Sequence, residues 1–285
     1  MIAHMMEREE LSVTVSRKSW HAHQIGPHAY CINHHRNYRR KRNLNVKTAY
    51  LPDYFYADRT GYSGWSEITE KSFDPNLIDA DEAQTYFDHK LQKPYFDRRR
   101  SKYNQLTRNN DLPDDYIFFP MQVPGDAVLD LGHFKQEALL YKLIRDAKKR
   151  PVVIKVHPKT RLDVPEAARD VDALHDPKNG VFVVDGHLHD LIRSAHVTVC
   201  SNSGAGLEAL LLGCPVITCA KVDYHHLTVN APKPELLPDL IEAAKPHDAL
   251  TIARYAKWLF SEHFIDIRDP AQTWVEEIYQ RLLVS

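Results

Sequence analysis

Val197–Ile217 reads VTVCSNSGAGLEALLLGCPVI. A short apolar, β-branched run leads into a turn of small hydroxyl and amide residues with two glycines. An apolar run of helical length follows, carrying one acid, Glu208. Gly213 and Pro215 close it before a second apolar run. Strand, turn, helix and strand in that order make a βαβ unit, whose parallel strands need helices on both faces. Ser201 to Gly206 lie where the free N–H groups and dipole of a helix N-terminus attract an anion. Ser201, Asn202 and Ser203 add polar groups, and Gly204 lets a phosphate come close. Glu208, a turn further in, is placed to accept hydrogen bonds from a ribose diol. A serine cap with an acid in the first turn of an ordinary helix has the same composition, so the stretch alone leaves its ligand open.

Outward from this unit, strand and helix alternate. YIFFPMQVPGD is a strand and a turn. HFKQEALLYKLIRDAKKR has helical spacing and stops at Pro151. VVIKV, VFVV and PVITC are further strands, and VPEAARDVDAL and LHDLIRSA are short helices. The expected fold is α/β, with a Rossmann-like C-terminal half around a parallel sheet and a smaller N-terminal half. The expected division is residues 1–110 for the acceptor side, 111–262 for the nucleotide-sugar-binding domain, and 263–285 for a C-terminal helix packing back on the body. The polar stretch QLTRNNDLPDD marks the first boundary. A helix from Ala80 to about Lys93 is expected to stop at Pro94. YLPDYFYADRTGYSGWSEIT has the turn chemistry of ordered loops.

In open parallel sheets, ligands bind at the carboxyl ends of strands. Polar residues collect at those ends here. Gln122 and Asp126 follow the first strand. His157, Pro158, Lys159 and Arg161 follow the second, and Asp185 and His187 the third. The serine turn follows the fourth, and Lys221, Asp223 and Tyr224 the fifth. His157 is suited to donate to a phosphate and Arg161 to neutralise one. Asp126, after a tight turn, suits a nucleophile or a base, and equally a turn cap.

With 285 residues and a formal net charge of −1, the chain has the composition of a soluble globular protein. No apolar run approaches the roughly 20 residues of a membrane span, and the expected location is the cytoplasm of a bacterium or of a phage-infected host. Four cysteines show no CxxC spacing. Seventeen histidines include a cluster of His21, His23, His28, His34 and His35. Its spacing matches no common zinc module, and these are read as surface or acceptor-side residues. Arg36, Arg39, Arg40, Lys41, Arg42 and Lys47 form one basic stretch, and Arg98, Arg99, Arg100 and Lys102 another. Either is a solvated face or the seat of an anionic partner.

QVPGD, KVHPKTR and SNSGAGLEALLLGCPVI in this order resemble the capsule polysaccharide biosynthesis family, the bacterial β-Kdo glycosyltransferases in particular. The match covers roughly residues 116 to 225. The resemblance implies a GT-B fold and a nucleotide-sugar donor as substrate, CMP-Kdo in that group, with no resident cofactor and no metal. It implies Asp126 as nucleophile of a retaining double displacement, and His157, Pro158, Ser201, Ser203 and Glu208 lining the nucleotide site. A retaining mechanism wants a second carboxylate as acid/base. Glu67 is the candidate, with Asp58 and Asp53 behind it. Gly61 and Gly64 around Tyr62 and Trp65 suggest a loop that stacks on a sugar or base, and Arg39, Arg40 and Arg42 an anionic glycan acceptor or peripheral contact with a membrane. Three rivals stand beside this reading. One is a phage-type DNA-base glycosyltransferase with a UDP-sugar and a DNA acceptor, which requires base flipping. Another is a nucleotide-sugar epimerase, and the last is a non-catalytic nucleic-acid-binding module.

Overall fold

The computed structural model describes residues 29–39, 41–105, 112–147 and 149–283. Trp20, His21, His23, His28, Arg40 and most of the expected boundary at 105–113 lie outside them. Ten strands follow in chain order: β1 (Cys31–His34), β2 (Asn43–Thr48), β3 (Tyr54–Asp58), β4 (Tyr116–Pro120), β5 (Val152–Lys155), β6 (Val181–Val183), β7 (Ala195–Cys200), β8 (Val216–Thr218), β9 (Val229–Asn230) and β10 (Phe264–Asp266). Six of them form a wholly parallel sheet in the order β6-β5-β4-β7-β8-β9. The chain runs outward from β4 to β6 and then returns to the other side of β4 with β7. That reversal is the switch point at which such sheets bind ligands. The second sheet, β1-β2-β3-β10, is mixed: β1 and β2 are parallel, while β3 is antiparallel to β2 and β10.

Every residue of β4 and β5 is buried, as strands covered on both faces require. Alternate side chains of β4 serve different layers. Ile117 and Phe119 pack with Leu139, Leu143, Ala168 and Ile241 from three helices on one face. Tyr116 and Phe118 point into a core that the two sheets share, with Tyr54, Phe96, Leu207 and Phe264. A third cluster puts Ile278 and Leu282 of the helix Ala271–Leu283 against Leu44, Ala57 and Ile265 of the mixed sheet. The first and last parts of the chain therefore build one sheet together.

Two expectations are corrected. The loop-like stretch after Tyr50 contains β3. Pro94 does not stop its helix: Ala80–Tyr86 is α-helical, and Phe87–Phe96 continues as a π-helix through the proline. In that wider register the Asp97 N–H reaches the Gln92 carbonyl at 2.9 Å. The missing proline N–H is accommodated without ending the helix. Among the described residues no helix is long and apolar enough to cross a membrane.

The turn Ser63–Trp65 is wedged against the parallel sheet. A Cβ on Gly64 would lie 2.3 Å from the Lys221 carbonyl oxygen, a backbone atom that cannot swing away. Gly64→Ala should therefore lower the urea midpoint, with a destabilisation of about 1–3 kcal/mol. An unchanged midpoint would show that the two loops separate without cost.

Candidate active site

At the carboxyl ends of β4, β5 and β7 a cleft of about 510 Å³ opens between the sheets. Gln122, Asp126, His157, Pro158, Lys159, Asn202, Ser203, Gly204 and Glu208 all line it. Three segments distant in sequence thus meet in one place.

Gln122 and Asn202 are spent on each other. Gln122 Nε2 donates to Asn202 Oδ1 at 2.8 Å, and the Asn202 N–H donates to Gln122 Oε1 at 3.2 Å. Asn202 Nδ2 also reaches the Val128 carbonyl at 2.6 Å. This amide clamp joins the ends of β4 and β7 and sets the serine turn beside Asp126. Ser203 caps the helix Gly204–Leu211, its Oγ accepting from the Ala205 N–H at 3.3 Å. Glu208 is buried on the same helix. Ser101 Oγ donates to its Oε1 at 2.9 Å, and His189 Nε2 lies 2.8 Å from its Oε2.

Asp126 caps the short turn Ala127–Leu131, accepting from the Val128 N–H at 3.3 Å. Around it stand cations supplied largely by the other half of the chain. Lys47 Nζ lies 3.8 Å from the centre of the Tyr62 ring, a cation–π contact. Lys102 Nζ donates to the Thr48 and Ala49 carbonyls at 3.1 and 2.7 Å, and Lys155 Nζ to the Gly186 carbonyl at 2.8 Å. Burial lowers all three lysines to about 8; Asp126 opposes that shift at Lys47 and Lys102, and Asp185 at Lys155. Burial, reinforced by Lys159, lowers His157 to about 4, so its ring is neutral at pH 7. His157 Nδ1 accepts from the Lys159 N–H at 3.1 Å, which assigns the ring proton to Nε2 and leaves a donor there. Edge contact with the Tyr103 ring, centroids 4.7 Å apart, holds the imidazole.

Other expected residues fall elsewhere. Arg161 does not reach the cleft: it is engaged bidentately by Asp172 at 2.9 and 3.0 Å and by Asp185 at 2.8 Å. Ser201 is buried beneath the turn. Glu67 pairs with Arg59 at 2.9 Å and lines a separate hollow of about 360 Å³. Tyr62 lines the cleft, and Trp65 packs on the Tyr62 ring instead, centroids 5.4 Å apart. Arg39 is exposed and Arg42 lies over the Tyr30 ring at 5.3 Å; neither lines the cleft. The second basic run is divided rather than continuous: Arg99 pairs with Asp190 and Arg100 with Asp53, while Lys102 turns inward. Asp223 belongs to the joint between the sheets. It is fully buried and accepts from the Tyr50 and Tyr56 hydroxyls, and burial raises it to about 6.

Sequence reasoning assigned no role in this site to Lys102, Tyr103 or Lys155, and read Lys47 only as part of a basic run. Lys155 alone carried a local signal, a cation at the end of the apolar strand VVIK. Among the described residues no group of three or more His, Cys, Asp or Glu is arranged to hold a metal ion.

Residues 77–231, which hold all three strand-end motifs, match the family described as Capsule polysaccharide biosynthesis protein. The chain belongs to that family. Within the capsule polysaccharide biosynthesis proteins it is similar in fold to a solved β-Kdo 2,4 transferase, KpsC of Thermosulfurimonas dismutans. The TM-score is 0.51 at 20% identity, over 75% of this chain and 71% of that one. The β-Kdo 2,7 transferase of the same organism superposes with a TM-score of 0.49 at 18% identity, over 84% of this chain and 78% of that one. Protein FixF of Sinorhizobium fredii (strain NBRC 101917 / NGR234) is 32% identical over 123 residues. That match spans 40% of this chain and 29% of FixF. The GT-B-like, two-sheet α/β arrangement is thus shared with a known transferase of this kind.

Proposed function

We propose that this chain is a glycosyltransferase that moves a sugar from a nucleotide-sugar donor to a glycan hydroxyl through a covalent intermediate on Asp126. One observation carries the reading. A single carboxylate, Asp126, shares a cleft with Lys47, Lys102, Lys159, His157 and the N-terminus of the helix Gly204–Leu211. That is a nucleophile beside an anion site. The leaving phosphate is neutralised by lysine charge, the His157 Nε2–H and the helix N–H groups. The name of the KpsC relative supports CMP-Kdo as donor and an anionic glycan as acceptor. Nothing favours a DNA-base acceptor, since the basic runs do not form a track into the cleft, and nothing favours an epimerase or a binding module.

Thermal shifts with CMP, CDP, UDP, GDP and ADP, each alone, test the donor. A nucleotide at about 100 times its dissociation constant should stabilise by roughly 2.7 kcal/mol. For a chain of this size that is a shift of several degrees, at about 2–4 °C per kcal/mol. CMP is expected to act. A response to UDP alone would replace the donor, and silence from all five would overturn the nucleotide site.

A further inference from the structure

The second half of a retaining transfer needs a base for the acceptor hydroxyl, and the argument here rests on the transferase reading above. The carboxylates expected for that task are engaged elsewhere. Glu67 holds Arg59. Asp58 accepts from Ser66 Oγ and from the N–H groups of Thr60, Gly61 and Glu67. Asp53 accepts from Tyr95 and Arg100.

The wall of the cleft contributed by the mixed sheet offers a different group. His35, Tyr62 and Ser63 all line it. His35 and Ser63 have φ of +57° and +52°, left-handed backbone that costs a residue with a Cβ and persists only where its surroundings hold it. The His35 N–H is held by the Val46 carbonyl at 2.9 Å, and its ring lies 5.4 Å from the Tyr62 ring. Ser63 is 5% exposed, and its hydroxyl, beside Tyr50, has no partner within hydrogen-bond distance. Two strained residues thus flank one aromatic ring on the wall of the cleft that holds Asp126.

We propose that His35 is the base that takes the acceptor's proton, and that Tyr62 and Ser63 form the subsite for the acceptor sugar. In the first step Asp126 Oδ bonds to the anomeric carbon as the bond to phosphate breaks, and the nucleotide leaves with the electron pair. In the second, the acceptor oxygen bonds to that carbon and its proton passes to the His35 ring. The carbon–Asp126 bond breaks and restores the carboxylate. The exposed ring then returns the proton to water. The groups facing His35 favour this use. Partial burial, then Lys47, His34 and Lys102, lower its pKa from the ordinary value and Asp126 opposes them, so the ring is neutral at pH 7.

The test uses the full chain with CMP-Kdo as donor and a methyl glycoside of Kdo as acceptor. His35→Gln should release one equivalent of CMP and accumulate a glycosyl–protein adduct visible by intact mass. Steady-state transfer should fall about 10²–10⁴-fold, with the acidic limb of its pH profile lost. Azide, which needs no deprotonation, should restore turnover as the glycosyl azide. Transfer at the wild-type rate with the limb intact would overturn the role of His35. So would a slow variant that azide does not rescue. Ser63→Gly suits the left-handed backbone, so it should fold at least as stably while raising the acceptor KM with the CMP burst retained. An unchanged KM would overturn the subsite. Absence of any adduct on the wild-type protein, with CMP-Kdo and with UDP-glucose, would overturn the transferase reading and this one with it.

Discussion

Asp126→Asn should abolish transfer, by on the order of 10⁴–10⁶-fold in kcat, the scale seen when a covalent nucleophile is removed. The fold should survive. Asp126 caps the turn Ala127–Leu131 through one oxygen, and asparagine caps as well as aspartate. Nucleotide binding should be no weaker and is expected to tighten, because the substitution removes the one negative charge that faces Lys47, Lys102 and His157. Two measurements check it: product formation over long incubation, and intact mass after mixing with donor. The wild-type protein should gain the mass of one sugar and the variant none. Residual transfer near the wild-type rate would remove Asp126 from the chemistry and leave it as a turn cap.

The second large effect concerns the lysines. Replacing both Lys47 and Lys102 with methionine should weaken nucleotide binding by about 10²–10³-fold, since a hydrogen bond to a charged group contributes about 1.5–3 kcal/mol and neighbouring sites add incompletely. Binding should depend on pH in a definite direction. Burial brings both lysines to about 8 in the free protein. Below that pH they are charged and hold phosphate. As pH rises through it each loses its proton, and affinity should fall by up to about tenfold per pH unit per lysine. Lys47→Arg separates charge from mere packing, because a guanidinium stays protonated throughout. It should keep binding and remove part of the alkaline fall. Calorimetric titration of CMP from about pH 6.5 to 9.5 reads both. A flat profile for the wild-type protein would place the phosphate away from these lysines.

What could be read in the amino-acid order was the half whose contacts are local. VTVC, the serine turn and PVITC declare a parallel unit by period and punctuation, and the six-stranded sheet stands where such units are expected. Gln122, Asp126, His157 and Ser203 follow strands, and strand ends gather in one place whatever the rest of the chain does. Arg161 misled because a cation after a strand looks the same whether it faces phosphate or two aspartates, and Asp172 and Asp185 meet it only through the fold. Glu67 misled because the acid/base was sought among carboxylates, while the wall of the cleft offers an imidazole. Lys102 and Tyr103 were hidden for another reason. They sit on an irregular segment after a π-helix, fastened by Ser101 to Glu208 and by the Arg99 carbonyl to His187. No periodicity announces such a path.

The pairing of β3 with β10 governs how the protein is made. During synthesis Tyr54–Asp58 leaves the ribosome long before Phe264–Asp266, its antiparallel neighbour. The parallel sheet needs only strands that end with Asn230, so it can close while the last part of the chain is still being translated. The mixed sheet must wait, because distant pairings carry the loop-closure cost that slows folding. Its aromatic side chains meanwhile rest on a surface that is already built. The nascent chain thus completes the cleft last, when the two ends of the chain find each other.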